Sequence, residues 1–196
     1  MDLKLYNEKR DFNITSEPKG IVKNIDDGKR VFVIQKHAAS SLHYDLRLEY
    51  KGVLLSWAVP KGPSTNPKDK RLAVETEPHP YAYKDFEGII PKDEYGGGTM
   101  IIWDEGFWIP EGDINLEEAF KSGRIKIIMQ GERLKGTFSL VRMKPRGKEK
   151  AKNWLFIKDK DEYASEESIV EKFDTSVRSN LNLEQMRTLK TGEEAQ

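Results

Sequence analysis

In the stretch HYDLRL, His43, Asp45 and Arg47 alternate with Tyr44, Leu46 and Leu48. On an extended strand, side chains two apart share a face. At a rise of ~3.3 Å per residue, His43 and Asp45 stand ~6.6 Å apart, close enough for both side chains to close on one cation. His37 lies just upstream, beyond the short loop Ala38, Ala39, Ser40, Ser41, and can swing over the same face. Two imidazoles and a carboxylate hold a divalent metal and leave positions open for water or substrate. The rival reading makes Tyr44, Leu46, Leu48 and Tyr50 a core face and leaves the polar set merely wet. Asp is disfavoured in strands, and two of the three histidines fall within seven residues; both facts favour the metal.

These residues need rigid elements on either side. Arg30 to Gln35 is a short apolar, β-branched run and reads as a buried strand; His43 to Tyr50 is the next. Lys51-Gly52 turns the chain, and Val53 to Val59 returns as the hairpin partner. Lys61 to Lys70 reads as a lysine-rich loop, and Arg71 to Thr76 alternates again. Pro78-His79-Pro80 fixes φ on either side of the last histidine. Tyr81, Tyr83 and Phe86 then suit either a lid on the core or stacking against a base. Gly96 to Gly98 lacks the Lys-Ser/Thr and helix of a phosphate loop, so it reads as a turn or β-bulge before the strand TMIIWD. Asn115 opens a short helix that Gly123 closes. Arg124 to Gln130, Thr137 to Met143 and Trp154 to Lys158 are further strands, with a hydrophilic loop at Pro145 to Asn153. About eight strands against two or three short helices predict an all-β fold, a closed or nearly closed eight-stranded antiparallel barrel. Residues 1–28 read as a polar arm packed on the domain, 29–164 as the barrel, and 165–196 as a partly helical, marginally ordered tail.

Composition narrows the chemistry. With no cysteine among the 196 residues, a metal must be held by nitrogen and oxygen, and no disulfide framework exists. Lys plus Arg equals Asp plus Glu at 33 each, so bulk charge does not announce a nucleic-acid binder. The start MDLKLYNEKRDF has no apolar h-region and no run approaches membrane-spanning length, so a cytoplasmic protein with no membrane partner is expected.

Taken together, the residues predict a barrel whose inner face carries a metal flanked by Arg47 and Arg71, with Lys61 adding charge. Guanidinium groups pair bidentately with phosphate oxygens while a metal neutralises the same anion, so a phosphate ester is the natural substrate. Two other readings of the same residues stay open. One is a non-haem iron oxygenase with His43, Asp45 and His79 as its facial triad. The other is a non-catalytic nucleic-acid-binding barrel with a structural metal and Tyr81 and Tyr83 for stacking.

The stretch FVIQKHAASSLHYDLRLEYKGVLLSWAVPKGPS closely resembles the 3′-phosphoesterase domain of bacterial DNA ligase D and its stand-alone relatives. So do KRDFNITSEP, HPYAYKDFEGIIPKDEYGGGTMIIWDEG and WLFIKDKDEYA. The match runs in order from about residue 8 to 164. The resemblance implies an eight-stranded barrel and a metal-dependent hydrolase acting on DNA 3′ ends. The implied cofactor is Mn2+, or a substitute such as Co2+. Two reactions are implied: removal of a terminal ribonucleoside to leave a 3′-phosphate, and hydrolysis of a 3′-phosphate to a 3′-hydroxyl. Carried onto this chain, the metal ligands are His37, His43 and Asp45. Arg47 and Arg71 contact the scissile phosphate, and His79 stabilises it or donates a proton, with Tyr83 beside it. Gln35, Ser56 and Lys61 line the pocket, and Arg10, Asp11 and Glu17 serve chiefly the monoesterase step. The implied partners are DNA or DNA–RNA 3′ ends in primer-template form and a separate DNA ligase with other end-joining proteins; a monomer is expected.

Overall fold

The structure is a computed structural model in which residues 2–23, 30–145 and 152–193 are described. Most of the hydrophilic loop expected at 145–153 lies outside them. Among the described residues ten strands form: β1 Arg30–Ala38, β2 Leu42–Tyr50, β3 Val53–Val59, β4 Arg71–Glu75, β5 His79–Pro80, β6 Gly88–Ile90, β7 Gly98–Pro110, β8 Arg124–Gly131, β9 Lys135–Arg142 and β10 Asn153–Lys158. Eight of them pair in the ring β1-β2-β3-β4-β10-β9-β8-β7, and β7 closes back on β1. Every pairing is antiparallel. The predicted eight-stranded barrel is therefore present and closed, which leaves its eight strands no open edge. The short strands β5 and β6 lie off the ring, on β3 and β7.

Local chemistry explains the joints. Lys51 (φ 52°) and Gly52 (φ 79°) both take positive φ, as a two-residue turn matching the strand twist requires, and this sets Tyr50 opposite Val53. Asn115 caps helix α2 (Leu116–Ser122), its side chain accepting from the N–H groups of Glu117 and Glu118. Gly123 ends that helix in the left-handed conformation. In β7 one extra residue, Trp103, stands between the partners of Ile34 and Gln35, a bulge of the kind that re-aims side chains.

Side chains from all eight ring strands fill the interior, among them Phe32, Leu46, Trp57, Ala73, Trp103, Ile127, Phe138 and Phe156. A second apolar cluster lies outside the barrel: Leu3 and Tyr6 from helix α1 (Lys4–Glu8) and its flank, Val53 and Leu54 from β3, Tyr83 from the 3-10 segment Tyr81–Asp85 and Phe86 just after it, and Ile90 and Met100. This second cluster corrects one expectation. Because Phe32 and Ile34 on β1 and Tyr44, Leu46 and Leu48 on β2 point inward, the period of two turns Gln35, His37, His43, Asp45 and Arg47 outward. The polar set sits on the outer wall, under the arm and the 3-10 segment, because the interior is filled with aromatic and aliphatic side chains.

The C-terminal segment runs back over β7. Trp103 donates Nε1–H to the Phe173 carbonyl at 2.8 Å, Val177 donates N–H to the Ile102 carbonyl at 2.9 Å, and Arg178 forms ion pairs with Glu105 and Asp85. Helices α3 (Ile169–Lys172) and α4 (Leu183–Glu193) flank this contact. Among the described residues no helix is long and apolar enough to cross a membrane.

Candidate metal and phosphate site

Strand register builds the first group of side chains. β1 and β2 pair so that His37 is opposite His43 and Gln35 opposite Asp45. On the outer face this brings His37 Nδ1 to 3.5 Å from Asp45 Oδ2, and His43 Nε2 to 3.6 Å from Asp45 Oδ1. One ligand atom from each of the three residues lies within 4.8 Å of the others. Among the described residues this is the one group of three or more such side chains. The alternative triad of His43, Asp45 and His79 does not assemble: His79 Nε2 faces the Arg10 guanidinium at 3.4 Å, a cation that repels a metal.

The donor set fits a cation on two further counts. His43 Nδ1 lies 2.9 Å from the Ser41 carbonyl. A carbonyl only accepts, so Nδ1 carries the proton and Nε2 keeps the lone pair that faces Asp45. His37 Nε2 is buried with no hydrogen-bond partner among the described residues, an unmet cost for a polar atom unless something binds there. Burial alone would raise the Asp45 carboxyl, but the Arg47 guanidinium and the two imidazoles outweigh it and hold it well below the usual carboxylate range. Burial lowers the His43 pKa, but its contacts with Asp45 and the Ser41 carbonyl prevail and leave it raised. The first shift keeps the Asp45 carboxylate ionised and the second reports its charge beside His43, a charge that a metal can take up in place of a proton.

Arg47 stands beside this group, two residues along β2. Its guanidinium donates from Nη2 to Asp45 Oδ2 at 3.2 Å, from Nε to Gln35 Oε1 at 2.6 Å and from Nη1 to Ser56 Oγ at 3.0 Å. It also lies 4.7 Å from the Tyr83 ring centre. Gln35 is fully buried, and its Nε2 donates to the Tyr83 carbonyl at 3.0 Å and the Phe86 carbonyl at 2.8 Å. Gln35 and Ser56 thus stand behind Arg47, fixing where its fork points.

The opposite wall comes from the arm and the Pro-His-Pro segment. Leu54 on β3 pairs with His79 on β5, which places the imidazole on the same outer face. Its Nδ1 donates to the Glu77 carbonyl at 2.9 Å, leaving Nε2 as an acceptor toward Arg10. Burial, then the charges of Arg47 and Arg10, hold His79 well below the ordinary histidine value, so it is neutral near pH 7 without substrate. Arg10 donates to Glu17 Oε1 at 2.9 Å and to the Tyr6 carbonyl at 3.1 Å, and stacks 3.8 Å over the Tyr6 ring. Glu17 is 4% exposed and also accepts from Tyr83 Oη at 2.8 Å and Thr15 Oγ1 at 3.0 Å. A cavity of about 280 Å³ joins both walls, lined by His37, His43, Asp45, Arg47, Arg10 and His79 among others.

Three residues expected at the site are not on this wall. Arg71 faces the side of β4 that carries Ala73 and binds Asp69 at 2.9 Å. Lys61 is exposed in the loop after β3, and the Asp11 carboxylate caps its own turn by accepting from Asn13 N–H at 3.0 Å. Conversely Glu77, which was not singled out from the sequence, is buried against Arg10 and Lys9; its adjacency to the fixed Pro-His-Pro segment was the available signal. Tyr95 and Thr76 on the cavity wall carried no such signal.

Comparison with known proteins identifies the family. A model of the DNA ligase D 3′-phosphoesterase domain matches residues 35–142, more than half of the chain. The multifunctional non-homologous end joining protein LigD of Pseudomonas aeruginosa is 47% identical over 157 residues, covering 80% of this chain and 18% of that protein. Its namesake from Mycolicibacterium smegmatis is 44% identical over 168 residues, 82% of this chain and 21% of that protein. The chain thus spans about a fifth of the curated relatives it matches. On the domain match and these identities, the chain belongs to the DNA ligase D 3′-phosphoesterase domain family.

Proposed function

We propose that this chain is a Mn2+-dependent phosphoesterase that heals DNA 3′ ends, removing terminal ribonucleosides and 3′-phosphates to leave 3′-hydroxyls for ligation. The observation that carries the reading is the His37, His43 and Asp45 group opening into the same cavity as Arg47 and Arg10. In that cavity His37, His43 and Asp45 would hold the metal, which supplies Lewis-acid charge against a phosphate oxygen. Arg47 and Arg10 would bind the remaining non-bridging oxygens, acting as preorganised charge where positioning and electrostatics dominate phosphoryl transfer. His79 stays neutral while two guanidiniums face it. An entering phosphate offsets both charges and raises the imidazole pKa, so His79 takes a proton from solvent as substrate binds and gives it to the leaving oxygen while water forms the new bond to phosphorus and the bond to the leaving oxygen breaks. Tyr83 and Glu17 position Arg10, and Gln35 and Ser56 position Arg47. In this reading the enzyme works as a monomer in the cytoplasm and its product passes to a DNA ligase.

The test uses two 5′-labelled primer-templates, one ending in a 3′-phosphate and one in ribonucleotides, with Mn2+ or chelator. Conversion to 3′-hydroxyl ends, abolished by chelator and by His43→Ala, is the expected result. His79→Ala should lose turnover while calorimetry shows metal binding intact. If neither end changes with any divalent metal while DNA is still bound, the protein is a binding module and the proposal fails.

A further inference from the structure

One aromatic side chain on the cavity wall belongs to neither apolar cluster. Tyr95 lines the same cavity as His37 and Asp45, yet 48% of it is exposed and it packs into neither the barrel interior nor the outer cluster. Lys9 Nζ stands 4.2 Å from its ring centre and the Arg10 guanidinium carbon 5.5 Å. The ring therefore borders the cations that face the cavity, with much of its apolar surface left in water.

The turn that presents Tyr95 is tightly held. Glu94 N–H donates to the Pro91 carbonyl at 3.1 Å and Gly97 N–H to the Glu94 carbonyl at 2.9 Å. A Cβ on Gly97 would fall 2.5 Å from the Pro91 carbonyl oxygen, and one on Gly98 2.1 Å from the Ala38 carbonyl oxygen. The backbone thus packs directly on the end of β1, beside His37: the Cβ position of Gly96 is 3.9 Å from His37 Cε1. A side chain on so constrained a turn is placed with little entropy left to lose. An exposed ring placed that way, next to a proposed metal ligand and two cations, is the arrangement by which proteins hold an unpaired nucleobase: the face stacks and the charges take the backbone.

We infer that Tyr95 forms a stacking subsite for the nucleobase of the 3′-terminal nucleotide whose phosphate enters the cavity. The inference rests on the phosphoesterase reading for the position of that phosphate. Stacking contributes whichever base is present, because every base has a π face, so the subsite senses that a terminal base exists rather than which one it is.

The test compares two 5′-fluorescein primers on one template, both ending in a 3′-phosphate, one with an unpaired, mismatched thymine on the last sugar and one abasic there. Anisotropy in chelator reads affinity without turnover, and steady-state assays with Mn2+ read KM. Wild type should bind the base-bearing end about 10-fold more tightly, which is about 1.4 kcal/mol and within the range of one stacked base. Tyr95→Ala should bring that ratio close to one with its melting temperature unchanged, while Tyr95→Phe and Tyr95→Trp keep it. A ratio that survives in Tyr95→Ala, a wild type indifferent to the base, or equal weakening on both ends would overturn the subsite. Base preference lost in Tyr95→Ala with no turnover under any metal would keep the subsite and refute the phosphoesterase. Turnover without base preference would do the reverse.

Discussion

Gln35→Leu should cripple this protein without touching any residue proposed to bind the metal. Gln35 is fully buried and spends its amide on three partners: Oε1 accepts from Arg47 Nε at 2.6 Å, and Nε2 donates to the carbonyls of Tyr83 and Phe86 at 3.0 and 2.8 Å. Leu matches its size and keeps the packing, so the loss is confined to those bonds. The bond to the charged guanidinium counts for about 2 kcal/mol, and the Phe86 carbonyl that loses its partner for about 1 kcal/mol, while the Tyr83 carbonyl keeps the Phe86 N–H at 3.1 Å. The sum, about 3 kcal/mol, corresponds to a fall in melting temperature of roughly 6 to 12 °C for a domain of this size. Arg47 keeps Asp45 and Ser56 but loses the anchor that aims its fork, and an ångström of misplacement can lower turnover by about 100-fold. Calorimetric unfolding and metal titration, with 3′-phosphate turnover measured well below the midpoint, would check this. The expected pattern is a lower midpoint and lower turnover with metal affinity close to wild type. An unchanged midpoint, or turnover lost together with metal binding, would show that Gln35 does not act through Arg47.

Acid should expose the buried imidazole. The folded protein holds His79 well below its unfolded value near 6.5, so below pH 6.5 the unfolded chain takes a proton that the native state refuses, and this group's contribution to stability falls as pH falls. In metal-free protein the stability gap between wild type and His79→Gln should narrow between pH 7 and 5, by at most about 1.4 kcal/mol per pH unit; a widening gap in urea unfolding would reverse the sign and sink the argument. Away from the site, Asp104 is buried, raised to about 6 by that burial, and gives one oxygen each to the N–H groups of Arg133 and Leu134 at 3.0 and 2.9 Å. Asp104→Asn puts an N–H donor against one of them, so it should lower stability by about 2 kcal/mol while 3′-phosphate turnover at 25 °C is retained; equal stability by thermal melting would refute that account of the β8–β9 turn.

Much of this was legible in the residues because it depends on local geometry. The alternation in HYDLRL and the hairpin at Lys51-Gly52 place His43, Asp45 and Arg47 on one face whatever surrounds them, and turn signals between short apolar runs sufficed for a barrel of eight strands. The matching motifs then pointed to a family, and they named Arg10 and Glu17 although nothing local ties an N-terminal arm to a strand more than twenty residues away. What could not be read was which face of β1 and β2 points inward. That depended on whether Trp103, Phe138 and Trp154 on distant strands would fill the interior, a question of summed volume rather than of any one strand's pattern. Long-range closure decided the rest: α1 and the 3-10 segment bury Tyr6 and Tyr83 on the outer wall and so carry Arg10 to His79. The sequence by itself determined which side chains share a strand face, because the period of two is a backbone property; only the tertiary structure decided that this face lies outside, because sidedness follows from what the other strands bury.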